Sequence, residues 1–235
     1  MSTGARPAFY ALRRGGWRDY VTLLHPPYTL WHLSYVAVGA ALAPQMDSHM
    51  DWALLGWTVL AFFLAMGVGA HALDELKGRP LQTLIPARVL AALAVVSIGA
   101  ACAIGCAIAV QRTLWLVVFV AAGGFVVVAY NLELFGGAFH GGLWFPAAWG
   151  AFPALTAYFA AAHTIRSAAV AGAAYAFATS WVQRTLSTPV RAVRRKPAAD
   201  VTDAERAIAP VAERALQVLA VATVLIAAAL LLARA

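Results

Sequence analysis

DWALLGWTVLAFFLAMGVGAHALDELKGRPLQT, residues 51–83, decides the fold. Its first twenty-odd residues are apolar enough for a membrane-spanning helix, which needs about 20 such residues. It then places His71, Asp74, Glu75, Lys77 and Arg79 within a few turns of the helix end. The same alternation of long apolar runs and short polar breaks continues over all 235 residues. Hydrophobic residues make up 63% of the chain and charged ones 11%, with a mean hydropathy of +0.76. A soluble domain carries roughly 25% charged residues, so the expectation is an all-α, polytopic transmembrane helical bundle. A transmembrane barrel would show alternating segments of about ten residues, and none is visible.

Seven helices are expected, at about 29–45, 51–73, 86–110, 113–131, 143–162, 166–184 and 210–233. No linker or repeat divides them, so residues 1–235 read as one integral membrane domain. It has a basic cytoplasmic segment at 1–28 and a basic cytoplasmic loop at 185–209. Fourteen of the 17 basic residues fall on one side of this arrangement. Arg6, Arg13, Arg14 and Arg18 precede the first helix, Lys77, Arg79 and Arg88 flank the second loop, and the remainder surround the sixth helix. The positive-inside rule then puts the N-terminus in the cytoplasm, the C-terminus outside and the protein in the inner cell membrane. The net charge of +7 serves topology and attraction to anionic headgroups, and nothing else points to nucleic acid. Thr202 followed by Glu205 fits a capping box, which predicts a helix start near Asp203. Cys102 and Cys106 lie one turn apart in an apolar run and read as small hydrophobes. Trp31, Trp52, Trp57, Trp144 and Trp181 read as an interfacial aromatic belt. Gly67 and Gly69 read as points of close helix packing.

On an α-helix His71, Asp74, Glu75 and Gly78 share a face. Two carboxylates and a histidine could hold a divalent metal, with oxygen ligation suiting Mg2+. Lys77 and Arg79 beside them would meet an anion, and together this is one way to hold a diphosphate. The alternative is a solvated loop whose acids pair with its bases. A second polar cluster, AYNLELFGGAFHGG at 129–142, ends the fourth helix with Tyr130, Asn131, Glu133 and His140. By the expected topology it emerges on the same side as Asp74, so the two clusters read as the mouth of an intramembrane pocket.

These residues resemble the UbiA superfamily of intramembrane prenyltransferases. GAHALDELKGRPLQTLIPARVL is similar to a shortened form of that family's aspartate-rich motif and the GRPL turn that follows it. LHPPYTLWHLSYVAVGAALAP, residues 24–44, is similar to the family's proline-containing entry into the first helix, and YNLE at 130–133 stands where the family has a tyrosine-containing motif. The likeness covers about residues 20–185. It implies Mg2+ held by Asp74 and Glu75 with His71 orienting them, and transfer of a prenyl or polyprenyl group from its diphosphate to an acceptor. Lys77, Arg79, Arg184 and Arg191 would neutralise the diphosphate, while Tyr130, Asn131, Glu133 and His140 would position or deprotonate the acceptor. The chain departs from the family in carrying QRTLSTPVRAVRRK at 183–196, where a second acidic motif is expected, and in having seven spans rather than nine. The alternative is a scaffold that has lost transfer chemistry and binds or moves a phosphorylated or anionic lipid, with or without a protein partner, for which the arginines in place of that motif would suffice. A second alternative is a metal-dependent oxidase or cyclase using His71, Asp74, Glu75, Glu133 and His140.

Overall fold

A computed structural model describes residues 7–44 and 49–235, so Arg6 lies outside the described residues. Apart from short helical turns at Leu134–Gly137 and Ala198–Asp200, they form eight helices and no strand: α1 Trp17–Leu23, α2 Pro26–Leu42, α3 Trp52–Gly78, α4 Ala87–Gln111, α5 Leu116–Asn131, α6 (146–162), α7 Ser167–Arg195 and α8 Asp203–Leu232. Three of them, α3, α4 and α8 with 27, 25 and 30 residues, are long and apolar enough to cross a membrane by length and composition.

Two helices overrun the boundaries expected from sequence. The second continues five residues past 73 to Gly78, which carries Asp74 and Glu75 on its last turns. The sixth continues past 184 to Arg195, through Pro189, so the first part of the basic loop is helical. Charge density suggested a loop there, but Ser187 and Val190 are buried and keep an inward-facing stripe, which is enough to extend an amphipathic helix. The capping box is present as read: Thr202 accepts from the Glu205 amide, and Glu205 accepts from the Thr202 amide.

Side-chain volume decides how closely the helices approach. A Cβ on Gly39 of α2 would lie 2.1 Å from the Ala154 carbonyl oxygen of α6, and one on Gly150 of α6 would lie 2.4 Å from the Ala176 carbonyl oxygen of α7. Backbone-to-backbone contacts of this kind are how helices pack where lipid removes the hydrophobic incentive to associate. Gly67 and Gly69 are packing glycines as read, against Thr29 and Ile98 respectively. Both lie in a π-helical stretch of α3, Phe63–Ala70. A second π-helical stretch, Pro146–Ala151, opens α6 just before Pro153. Pro153 has no amide to bond the carbonyl four residues back.

Polar side chains lock α2 to α7 inside the bundle. His32 Nε2 pairs with Gln183 Oε1 at 2.8 Å, and Tyr35 Oη accepts from Trp31 Nε1 and from Ser180 Oγ. Trp31 is therefore a fully buried core residue and no part of an interfacial belt; its indole finds a partner inside. Trp52, Trp57, Trp144 and Trp181 remain exposed.

Candidate functional site

Adjacent residues on an α-helix point about 100° apart, and Asp74 and Glu75 use that angle to do different things. Glu75 is fully buried. Its Oε1 accepts from the Thr83 amide (2.7 Å) and the Thr83 hydroxyl (2.9 Å), and its Oε2 accepts from the Leu81 amide (2.9 Å). Arg79 ends α3 in the left-handed region, φ 50°, and turns its guanidinium back to donate to the carbonyls of Thr83 (3.1 Å) and Ile85 (2.7 Å). Asp19 of α1, also buried, accepts from the Leu84 amide at 2.8 Å. GRPLQTL is thus a turn wound around two carboxylates and closed by one guanidinium. Glu75 and Arg79, both expected at a ligand, hold the backbone.

Asp74 is half-buried and makes no hydrogen bond or ion pair with the described residues. Arg191, His140, Glu75, Arg195, Tyr10 and Tyr130 all lie within its electrostatic reach. Around it lies a polar chamber whose side chains come from the segment before α2, from α3, α5 and α7, and from the stretch between α5 and α6. From α5, Tyr130 accepts a 2.7 Å hydrogen bond from Arg184 of α7. His140 donates from Nδ1 to the Tyr130 carbonyl at 3.0 Å and lies 4.5 Å, ring to ring, from the Tyr130 phenol. Arg184 also sits 5.6 Å over the Phe145 ring. His71 donates from Nδ1 to the Gly67 carbonyl (3.0 Å) and stacks on His25, with centroids 4.0 Å apart. His25 Nδ1 in turn pairs with the Tyr10 hydroxyl at 2.8 Å. Burial, then His71 and Arg191, holds His25 well below the usual imidazole range. Burial and the neighbouring Tyr28 push the Tyr10 hydroxyl up.

Arg191 is the common neighbour. Tyr10, His25, Tyr28, Asp74 and Tyr130 all feel its charge, yet its guanidinium forms no hydrogen bond or ion pair with any described residue. Asp74 and Arg191, a half-buried carboxylate and an exposed guanidinium, are therefore two groups beside the chamber that no described residue binds.

Other residues expected at the site are placed elsewhere. Lys77 and Glu133 pair with each other at 2.6 Å on the surface, and that bond holds the Glu133 carboxyl below its usual range. Asn131 donates to the Val127 carbonyl at 2.7 Å, within its own helix. Conversely, Tyr10, Asp19 and His25 belong to the chamber or its wall and were not singled out from the sequence. Among the described residues no three His, Cys, Asp or Glu side chains are grouped to hold a metal ion. Glu75 is fully buried and already accepts three hydrogen bonds, so Asp74 is the carboxylate of the pair more open to a cation.

An apolar cleft of about 630 Å³, its open side included, lies between α3, α4, α5 and α6. A second space, of about 330 Å³, shares Phe62, Ala65, Gly123 and Phe152 with it and reaches Trp149. The Trp149 ring is 4.5 Å from that of Tyr130. The apolar groove and the polar chamber therefore meet across one aromatic pair. Gly105, Gly123 and Gly124 keep the groove wall thin. Comparison with protein families, with curated proteins and with solved structures finds no match for this chain.

Proposed function

We propose that this is a multi-pass inner-membrane protein in which α2–α8 are the seven spans, the N-terminus is cytoplasmic, and the chamber at its cytoplasmic mouth holds the headgroup of a prenyl or polyprenyl phosphate or diphosphate. The reading rests on one observation, that the cationic polar chamber and the apolar groove lie on either side of a single packed ring pair, Tyr130 and Trp149. An amphiphile with a compact anionic head and a long thin tail matches both halves. Arg191 and Arg184 supply charge-assisted hydrogen bonds to phosphate oxygens. The Nε2 atoms of His71 and His140, left over from their backbone bonds, offer further polar contacts. No metal is required for such a grip.

Asp74 favours a second reading, in which the bound lipid is also a substrate for UbiA-like transfer. The allylic C–O bond would break with its electron pair leaving on the diphosphate, where the arginines offset the charge. The acceptor would form the new bond to the allylic carbon and lose its proton to Asp74. The test is turnover by membranes containing wild type or Asp74→Asn, given labelled prenyl diphosphates of several lengths with Mg2+ or with chelator. Product formed by wild type alone supports transfer. Binding without consumption supports the holding function. Neither binding nor consumption at any length refutes both.

A further inference from the structure

The chain before α2 has two faces. Ala8, Ala11, Asp19, Thr22 and Leu23 are buried against the bundle, and the Leu12 amide donates to Thr22 Oγ1 at 2.9 Å. The outer face carries Arg13, Arg14, Trp17, Arg18 and Tyr20, all exposed, with Trp17 at 65%. Arg18 lies 5.3 Å over the Trp17 ring, and none of the three arginines has an ion-pair partner among the described residues. The one acid nearby, Asp19, is turned inward and spent on Gly15 and Leu84.

That Asp19–Leu84 bond also fixes the place of the arm. Leu84 is 66% exposed and stands three residues before α4, whose apolar stretch is 22% buried and so faces lipid along most of its surface. The first turn of α4 adds an exposed Arg88. The Asp19–Leu84 bond thus holds the arm beside the start of α4, and its exposed face and that of the first turn of α4 together present four arginines, Trp17 and Leu84.

We infer that this outer face is a docking surface for the anionic headgroups of the adjoining leaflet, with Trp17 and Leu84 entering the acyl boundary and Arg13, Arg14, Arg18 and Arg88 meeting lipid phosphates. Charge complementarity selects the partner: an uncompensated cationic cluster around a tryptophan suits an anionic interface. The surface lies outside the chamber and does not depend on what the chamber holds.

The test uses the full chain in nanodiscs of phosphatidylcholine alone or mixed with phosphatidylglycerol. Lipids brominated near the carbonyl end quench nearby tryptophan, and subtracting Trp17→Phe isolates the Trp17 signal. The expected result is a Trp17 signal quenched in the anionic discs and recovering in high salt, as exposed charge attraction does. Each arginine contributes about 1 kcal/mol at an anionic surface, or about fivefold. R13Q/R14Q/R18Q should thus weaken engagement by about a hundredfold, and R13K/R14K/R18K should restore it. These side chains are exposed, and melting temperature in the same discs confirms that each variant is folded. Trp17 left unquenched in anionic discs overturns the inference, because the arm then faces water or protein. Equal quenching in both disc types, insensitive to R13Q/R14Q/R18Q, overturns it too, because the charges are then not read.

Discussion

Replacing Glu75 and replacing Asp74 should have opposite consequences, although the two are neighbours in sequence and alike in chemistry. Glu75→Ala removes the acceptor for two backbone amides and one hydroxyl, at 2.9, 2.7 and 2.9 Å. Leu81 and Thr83 are both 5% exposed, so water reaches those donors only by entering the space the side chain leaves. A buried donor left unpaired costs about 1–3 kcal/mol. Three of them, partly relieved by such water, cost about 3–6 kcal/mol. For a chain of this size about 1 kcal/mol lowers the melting temperature by about 2–4 °C, so the loss is on the order of 10 °C or more. Glu75→Gln keeps one oxygen but turns an amide group toward a donor, and should fall between. Asp74→Asn breaks no hydrogen bond and should melt within about 2 °C of wild type, while weakening or abolishing turnover of a labelled prenyl diphosphate. Thermal unfolding in one detergent, followed by near-ultraviolet circular dichroism, measures all three variants. Equal melting temperatures for Glu75→Ala and Asp74→Asn, or a lower one for Asp74→Asn, would refute the division of roles.

Gly39→Ala forces a methyl group to within 2.1 Å of the Ala154 carbonyl oxygen. Overpacking of this kind costs about 1–3 kcal/mol, so melting should drop by several degrees, whereas Gly56→Ala, with open space around it, should hold or slightly raise it, alanine being the better helix former. Lys77→Ala and Glu133→Gln should each leave melting and ligand binding as in wild type, because that pair is half-exposed and its charges are spent on each other; a binding defect in either would return them to the site. His25 titrates lower in the folded protein than in the unfolded chain. Below about pH 6.5 the unfolded state gains a proton that the folded state does not, and stability falls by up to about 1.4 kcal/mol per pH unit. Melting temperature should therefore decline from pH 7.5 to pH 5.5. His25→Asn, which does not titrate and tolerates the left-handed backbone at φ 46°, should make that slope shallower.

Apolar run length located the helices well, because burying or embedding them depends on little else. Boundaries failed where charge was taken as the end of a helix. Arg191, Arg194 and Arg195 look like loop by composition, but Arg194 binds Glu213 of α8 at 2.5 Å, and that cross-helix pair supports the extension. The opening motif was legible as a cluster but not as an assignment. Helical periodicity puts Asp74 and Glu75 within one arc, and cannot say that the returning turn will claim one of them with three donors. That depends on where Leu81 and Thr83 come back in space. Lys77 and Glu133 read as ligands because each was considered with its own motif; the 2.6 Å contact between the motifs exists only in three dimensions. Asp19 left a faint trace as a lone acid in an arginine-rich segment. His25, before Pro26 and Pro27, marked a helix start, and nothing in its neighbourhood foretold the stack on His71. Tyr10 left no signal at all.

The central claim is that the head of a phosphorylated lipid sits between Arg184, Arg191 and Asp74 while its tail follows the groove past Trp149. A prenyl monophosphate carrying a photoreactive group midway along its chain tests this directly in nanodiscs, with the cross-linked peptides identified by mass spectrometry. The account predicts adducts on the groove walls, around Phe62, Gly123 and Trp149. Arg191→Ala should reduce them by about tenfold or more, the worth of a hydrogen bond to a charged group. Adducts spread over the lipid-facing sides of α4 and α8, indifferent to Arg191, would contradict it.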